Sequence, residues 1–159
     1  MKETISKSQP DFFRNSLVVG INDHLLCKDG WHERAVDGRF NFPYRPASAM
    51  ADFEMVMPGG KVELVALMSA GVSLSGGIMT GKLRAQGAES IKFQFDTENW
   101  VIRKFTFDCL PEGPCRFQWI TDNPFIPNDL LKNGDFRVMG VYLARIMFRQ
   151  FSQSGGDSS

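Results

Sequence analysis

The sequence is poor in the side chains from which most catalytic centres are built. Its only two histidines, His24 and His32, lie in a loop-rich stretch and match no known spacing of metal ligands. Its three cysteines, Cys27, Cys109 and Cys115, are too few and too unevenly placed for a zinc ribbon or a disulfide framework. We therefore expect no metal, no cofactor and no catalytic residues, and we expect that the protein is not an enzyme.

Net charge and long apolar runs are lacking as well. The 18 Lys and Arg residues balance the 18 Asp and Glu residues, so no overall field draws in nucleic acid or an anionic membrane. No segment approaches the roughly 18 apolar residues of a membrane-spanning helix, and the first residues lack the apolar core of a signal peptide. These absences predict no nucleic-acid partner, no membrane insertion and a cytoplasmic location, and they leave the oligomeric state open.

What the sequence has instead is a series of short alternating runs separated by turn residues, with almost no long helical periodicity. The run "KVELVALM" places Val62, Leu64, Ala66 and Met68 on one face, and "SIKFQFD" turns Ile91, Phe93 and Phe95 inward. With 14 Phe residues available, the core should be rich in phenylalanine. The pattern predicts an all-β fold, an antiparallel, jelly-roll-like β-sandwich of about eight to nine strands.

Glycine and proline clusters predict where these strands end. Turns are expected at "MPGGK" after Met57 and at "PEGP" after Leu110. Because Cys109 and Cys115 flank the second turn, they are expected as free thiols on neighbouring strands, with a disulfide between them as the alternative. In the final strand the alternation slips, and a β-bulge near Ala144 and Arg145 would restore it, although an amphipathic helix is a competing interpretation.

The composition of the two ends differs from that of the middle. We expect a flexible N-terminal segment at 1–14, a β-sandwich domain at 15–150 and a disordered C-terminal tail at 151–159.

The stretch "GWHERAVDGRFNF", Gly30 to Phe42, holds the densest group of chemically capable side chains. Aromatic faces beside carboxylate and guanidinium groups are typical of a carbohydrate-binding surface. We therefore predict a ligand-binding set of four residues: Trp31, Glu33, Arg39 and Arg137. The alternative is structural, with Trp31 covering the end of the core and Glu33 paired with an arginine, Arg137 being the candidate.

The order of motifs along the chain resembles a β-sandwich module found beside bacterial glycosyltransferase domains. The resemblance covers about residues 15–149 and rests on Gly30, Trp31, Glu33, Asp37, Gly38, Arg39, Phe40, Trp100, Asp135, Arg137, Gly140 and Val141. One departure is the segment Phe40-Asn41-Phe42, where the modules usually read Phe-Arg-Trp. The resemblance implies a free-standing module linked to bacterial glycan or surface-polysaccharide metabolism.

Three functions follow as hypotheses. The first is a non-catalytic carbohydrate-associated binding or accessory module with a saccharide as its ligand. The second is a protein-interaction or assembly module for a glycosyltransferase or another partner, meeting it through an exposed face or edge strand. The third, a small β-barrel enzyme, is the least supported, because two loop histidines offer no convergent catalytic group.

Overall fold

The computed structural model describes residues 16–150, so the segments 1–14 and 151–159, expected to be flexible and disordered, lie outside the described residues. Two short helices are present, α1 (Asp23–Leu26) and α2 (Pro127–Leu131), with a single 3₁₀ turn at Val72–Leu74. Neither helix of the described chain is long and apolar enough to cross a membrane. The strands are β1 (Ser16–Val18), β2 (Ala35–Asp37), β3 (Phe42–Pro46), β4 (Met50–Ala70), β5 (Met79–Ala85), β6 (Ser90–Phe95), β7 (Val101–Thr121) and β8 (Val141–Gln150).

These strands form an antiparallel sheet in the order β2-β3-β8-β4-β7-β5-β6, with β1 paired to β8. The sheet curls so that its inner faces pack on each other around one hydrophobic core. The all-β sandwich expected from the alternating pattern is therefore confirmed, with eight strands in the described chain.

Two of the expected turns are wrong, because the chain continues through both as strand. Gly59 and Gly60 lie inside β4, and Gly113 lies inside β7, all three with positive φ. The two segments face each other across the ladder, with Pro58 opposite Glu112, and the register of the ladder shifts between Gly60 and Val62. The glycines in these segments have the unusual backbone dihedrals that were expected, but they lie within continuous strands and not in turns that reverse the chain.

The continuous β7 strand also changes the expected positions of the cysteines. Cys109 and Cys115 lie on the same strand, β7, and not on neighbouring strands, and all three cysteines are free. Cys115 is buried opposite Met55, and burial raises the pKa of its thiol. Burial likewise raises the pKa of the Cys27 thiol, to about 12, so neither group is an activated nucleophile.

The final segment is a strand with a bulge, as the slipped alternation predicts. Leu67 pairs with Arg145 and the next residue, Met68, pairs with Leu143, so Ala144 is the extra residue on β8. The bulge keeps Leu143 and Ile146 both in the core, where each is at most 1% exposed.

The core contains the side chains that the two-residue alternation selects. The four inward residues of "KVELVALM" are at most 1% exposed, and Phe95 is fully buried. Trp119 lies among phenylalanine rings, with the Phe105 centroid 5.4 Å and the Phe53 centroid 5.9 Å away. Edge-to-face and stacked contacts of this kind add to the free energy gained from burial.

Candidate functional site

Trp31 lies at a corner of the sandwich and is held there by the backbone. Its indole N–H donates to the carbonyl oxygen of Asp52 over 2.6 Å, and its partly buried ring packs against the core. Gly30 has a φ of +93°, and a Cβ there would lie 1.9 Å from the Met50 oxygen. Only glycine fits this close approach, so the "Gly-Trp" pair closes the fold.

An ion pair between Asp23 and Arg45 stabilises the same corner. The fully buried Asp23 accepts hydrogen bonds from Nε and Nη2 of Arg45 at 2.9 and 2.6 Å. Arg45 also donates to the carbonyl oxygen of His32 over 3.0 Å, which ties the loop to β3. Burial alone would raise the pKa of Asp23, but the hydrogen bonds from Arg45 and from the backbone of Gly20 lower it.

The expected pair between Glu33 and Arg137 does not form. Glu33 is exposed and has no ion-pair partner within residues 16–150. Arg137 instead pairs with Asp135, two residues earlier, with Nη2 to Oδ2 at 2.7 Å. The hydrogen bond from Arg137 lowers the pKa of Asp135 to about 2. The loop that carries Arg137 therefore makes its own ion pair.

A second region has the better-formed concavity, and we call it the Trp100 cleft. It has a volume of about 360 Å³, within the range of about 300–1,000 Å³ typical of small-molecule sites. Strands β2, β3, β4 and β8 surround it, together with the segments that precede β7 and follow β4. The side chains that matter for its chemistry are Asp37, Arg39, Tyr44, Glu98, Trp100 and Tyr142.

The turn between β2 and β3 positions Asp37 at the mouth of this cleft. Its Oδ1 accepts hydrogen bonds from the backbone N–H groups of Arg39 and Phe40 at 2.8 and 3.2 Å. Its Oδ2 accepts the indole N–H of Trp100 over 2.6 Å. The Trp100 hydrogen bond, followed by the backbone bonds, lowers the pKa of Asp37, so the group is a fixed carboxylate.

An aromatic wall lies behind Asp37. The Trp100 ring meets Phe42 and Tyr44 edge to face, with centroids 5.0 and 5.3 Å apart, and Tyr142 lies 5.3 Å beyond Tyr44. Gly71 makes room for this wall, because a Cβ there would lie 3.0 Å from the Tyr142 hydroxyl oxygen. The cleft is therefore shaped by packed rings rather than by mobile side chains.

Glu98 closes the opposite side. Its Oε2 accepts both the backbone N–H of Ser73, at 2.9 Å, and the Ser73 hydroxyl, while its own backbone carbonyl accepts the Ser69 hydroxyl at 2.9 Å. These bonds from Ser73 lower the pKa of Glu98. Like Asp37, Glu98 is held charged by donors from its own chain.

Unused hydrogen-bonding groups remain in the cleft. The chain has two tyrosines, Tyr44 and Tyr142, and both line the cleft with hydroxyls that have no hydrogen-bond partner within the described chain. Burial raises the pKa of both hydroxyls, so they remain protonated donors. The Arg39 side chain is 60% exposed, and its Nη2 lies 3.5 Å from Oδ2 of Asp37, which leaves most of its N–H groups free.

Of the four predicted ligand residues, only Arg39 lines the cleft. Arg137 does not line it, although its charge lowers the pKa of the Tyr44 and Tyr142 hydroxyls against the effect of burial. Trp31 and Glu33 are not among the residues that line it. Sequence reasoning missed Tyr44, Glu98 and Tyr142 as site residues, and among the signals available only the scarcity of tyrosine singles out the two aromatic ones.

No protein-family profile and no curated protein sequence matches the chain. A CBM35 module in complex with a disaccharide containing glucuronic acid has a TM-score of 0.52 and 9% identity, covering 86% of this chain and 94% of that one. The CBM36-1 domain of a multidomain xylanase from the hindgut metagenome of Trinervitermes trinervoides has a TM-score of 0.50 and 8% identity, covering 81% and 94%.

A family GH115 4-O-methyl-α-glucuronidase with specificity for decorated arabinogalactans gives a TM-score of 0.51 and 13% identity over 79% of this chain. The chain spans only 17% of that enzyme's length, so it matches one part of it. At such low identity the likeness concerns the fold, and we conclude that the chain has the β-sandwich fold found in carbohydrate-binding modules.

Proposed function

We propose that the protein is a non-catalytic carbohydrate-binding module and that the Trp100 cleft takes a mono- or disaccharide. The observation that carries the proposal is the convergence there of both tyrosines of the chain, each with an unpartnered hydroxyl, beside the open guanidinium of Arg39. Sugars offer what such a site needs, because their hydroxyls accept and donate hydrogen bonds and their C–H faces pack on aromatic rings.

The charged groups around the cleft support a binding role over a catalytic one. Glycoside hydrolysis requires a carboxylic acid whose raised pKa keeps it protonated until it donates its proton. The hydrogen bonds described above lower the pKa of Asp37, Glu98 and Asp135 instead. Within residues 16–150 there is also no group of three or more His, Cys, Asp or Glu placed to hold a metal ion.

The preformed donors indicate how a sugar would be oriented. The hydroxyls of Tyr44 and Tyr142 and the N–H groups of Arg39 can donate to ring or hydroxyl oxygens, while the carboxylate of Asp37 already accepts hydrogen bonds from Trp100 and the backbone. Arg39 supplies a positive charge with a side chain that is 60% exposed, so an acidic sugar is included in the ligand class. The comparison with a module that binds a disaccharide containing glucuronic acid favours the same choice of ligand.

A glycan array followed by calorimetric titration of the best hit tests this function. The variants Tyr142→Phe and Arg39→Gln should each weaken binding roughly tenfold, the loss expected for one hydrogen bond in a protected site. Arg34→Gln, an exposed arginine outside the cleft, is the matched control. A folded protein that binds no saccharide, or one whose binding survives both cleft substitutions, contradicts the proposal.

The second candidate is an assembly module for a bacterial glycosyltransferase, the association implied by the sequence resemblance. The observation that favours it is a set of exposed apolar side chains on α2 and in the segment that follows it: Leu130 is 61%, Leu131 55% and Phe136 69% exposed. A pull-down that retains one glycosyltransferase, with retention lost in Leu130→Ser/Phe136→Ser and kept in Tyr142→Phe, would support it. Retention unaffected by the double substitution would count against this surface.

A further inference from the structure

A second region with binding potential lies on the outer face of β5 and β6, and it shares no residue with the Trp100 cleft. Two recesses adjoin there, of about 810 and 510 Å³. Arg84 lines the first, and Lys82 and Lys92 line the second. We call these three residues the cationic stripe.

The register of the strands places the stripe residues close together. Lys82 and Lys92 are directly opposite each other on β5 and β6, which puts their Cβ atoms about 4.5–5.5 Å apart. Arg84 follows Lys82 on the same face of β5, roughly 7 Å along the strand. Like charges placed directly opposite destabilise a sheet, so this pairing carries a cost that an anion would remove.

No carboxylate of the described chain offsets these charges by an ion pair. Of the acids in the two recesses, Asp52 accepts Nη1 of Arg116 at 3.3 Å and Nε2 of Gln118 at 2.8 Å. Asp122 accepts the Thr80 hydroxyl at 3.0 Å, and Glu89 lies in the turn before β6 without an ion pair. Lys82, Lys92 and Arg84 therefore make no ion pair within residues 16–150, and with Arg116 the four cations that line the two recesses outnumber the three carboxylates by one.

Amide side chains accompany the stripe and supply neutral hydrogen-bonding groups. Arg84 donates to Oε1 of Gln118, whose amide nitrogen donates in turn to Asp52, so the guanidinium is held in place across three strands. Gln94 lines the second recess and Gln86 the first. A face with fixed cations and amides suits a ligand that carries both negative charge and hydroxyl groups.

We infer that the cationic stripe and its two recesses form a second binding site, for an extended acidic polysaccharide chain bearing carboxylate groups. The observations favour this ligand over nucleic acid, the other common polyanion. Single-stranded nucleic acid is bound with aromatic platforms under its bases, and none of the exposed side chains in the two recesses is aromatic. Duplex binding draws on many more than three cations.

The test uses polygalacturonate and its fully methyl-esterified form, which share a backbone but differ in charge. The wild-type protein should bind the acid form and lose binding as salt rises from about 50 to 500 mM, because exposed charges are screened. The double variant Lys82→Gln/Lys92→Gln should bind at least about tenfold more weakly, the equivalent of losing one charge-assisted contact. The same variant should melt no lower than the wild type in the absence of ligand, since it removes a like-charge pair.

Two control measurements keep the result specific. Lys104→Gln removes an exposed lysine on the other half of β7 and should leave binding unchanged. Lys82→Gln/Lys92→Gln should still bind the saccharide that the glycan array assigns to the Trp100 cleft, which separates this site from the one proposed above. Equal binding of the methyl ester, equal binding of a single-stranded oligonucleotide, or an equal loss in Lys104→Gln would overturn the inference.

Discussion

Trp31 and Trp100 both donate an indole N–H over 2.6 Å, but to acceptors of different kinds. The acceptor of Trp31 is the backbone carbonyl of Asp52, inside a long strand, whereas Trp100 donates to the side-chain carboxylate of Asp37, in a turn at the mouth of a cleft. The first contact joins the loop to β4, and the second fixes the orientation of a carboxylate that lines the cleft. We therefore predict that the corner around Trp31 is structural and that a ligand binds in the Trp100 cleft.

The largest loss of stability is expected from breaking the ion pair between Asp23 and Arg45, close to Trp31. Arg45→Met leaves the fully buried Asp23 without its partner, and the free energy of unfolding should fall by about 3–5 kcal/mol. Urea denaturation measures the loss, and Arg34→Met, at an exposed position, should change little. A loss below about 1 kcal/mol would show that this pair does not hold the corner.

Trp31 itself should show a smaller effect of the same kind. Trp31→Phe keeps a ring against the core but removes the donor to the Asp52 carbonyl, so the free energy of unfolding should fall by about 1–3 kcal/mol. Saccharide binding to the Trp100 cleft should remain at the wild-type level in calorimetry. Unchanged stability together with lost binding would reverse the assignment of the two regions.

Sequence reasoning could predict the layers of the sandwich because side-chain alternation reports burial directly. Val62, Leu64 and Phe95 face the core for that reason, and the slipped alternation near Ala144 located a bulge before any pairing was known. It could not predict that the chain continues as strand through "MPGG" and "PEGP", since glycines with positive φ occur in tight turns and in β-bulges alike. Only the pairing of Pro58 with Glu112 distinguishes the two cases.

The candidate site was less accessible to sequence reasoning because it is assembled by pairing between distant segments. Arg39 was identified from a local cluster of polar residues, but Tyr44 and Tyr142 come from β3 and β8, which meet only in the folded sheet. The same cluster suggested Trp31 and Glu33, which neighbour Arg39 in sequence but do not line the cleft. A cluster of polar and aromatic residues in the sequence therefore indicates which loop to examine, but it does not indicate which of their side chains line the same cavity.

The pH dependence of stability offers a sharper test of the Trp100 cleft. Because the folded-state pKa of Asp37 lies below its ordinary value of 3.8, its stabilising contribution is present above that value and is lost as the pH falls through the folded-state pKa. Asp37→Asn should therefore be less stable than the wild type at about pH 6, with a difference that shrinks toward about pH 2. Denaturation at intervals across this range measures it.

Asp96→Asn provides the control for that titration, because Asp96 is an exposed carboxyl without a hydrogen-bond partner among residues 16–150. At about pH 6 the free energy of unfolding of this variant should stay close to that of the wild type. A flat difference for Asp37→Asn would mean that the Trp100 hydrogen bond does not stabilise the charged carboxylate.

The smallest change in the free energy of unfolding is expected for Arg137→Ala, although an ion pair between Arg137 and Glu33 would have predicted a large one. Arg137 pairs with Asp135 near the surface, with 49% of its side chain exposed, so Arg137→Ala should alter the free energy of unfolding by no more than about 1 kcal/mol. Glu33→Ala should be equally mild, because Glu33 has no ion-pair partner in the described chain. The two variants should differ only in ligand binding, which Arg137→Ala weakens and Glu33→Ala leaves intact, since only Arg137 lies near the cleft tyrosines. Equal melting temperatures with unequal affinities would indicate that ligand recognition involves Arg137 and not Glu33. A fall of several degrees in the melting temperature of Arg137→Ala would instead indicate a structural role for this arginine.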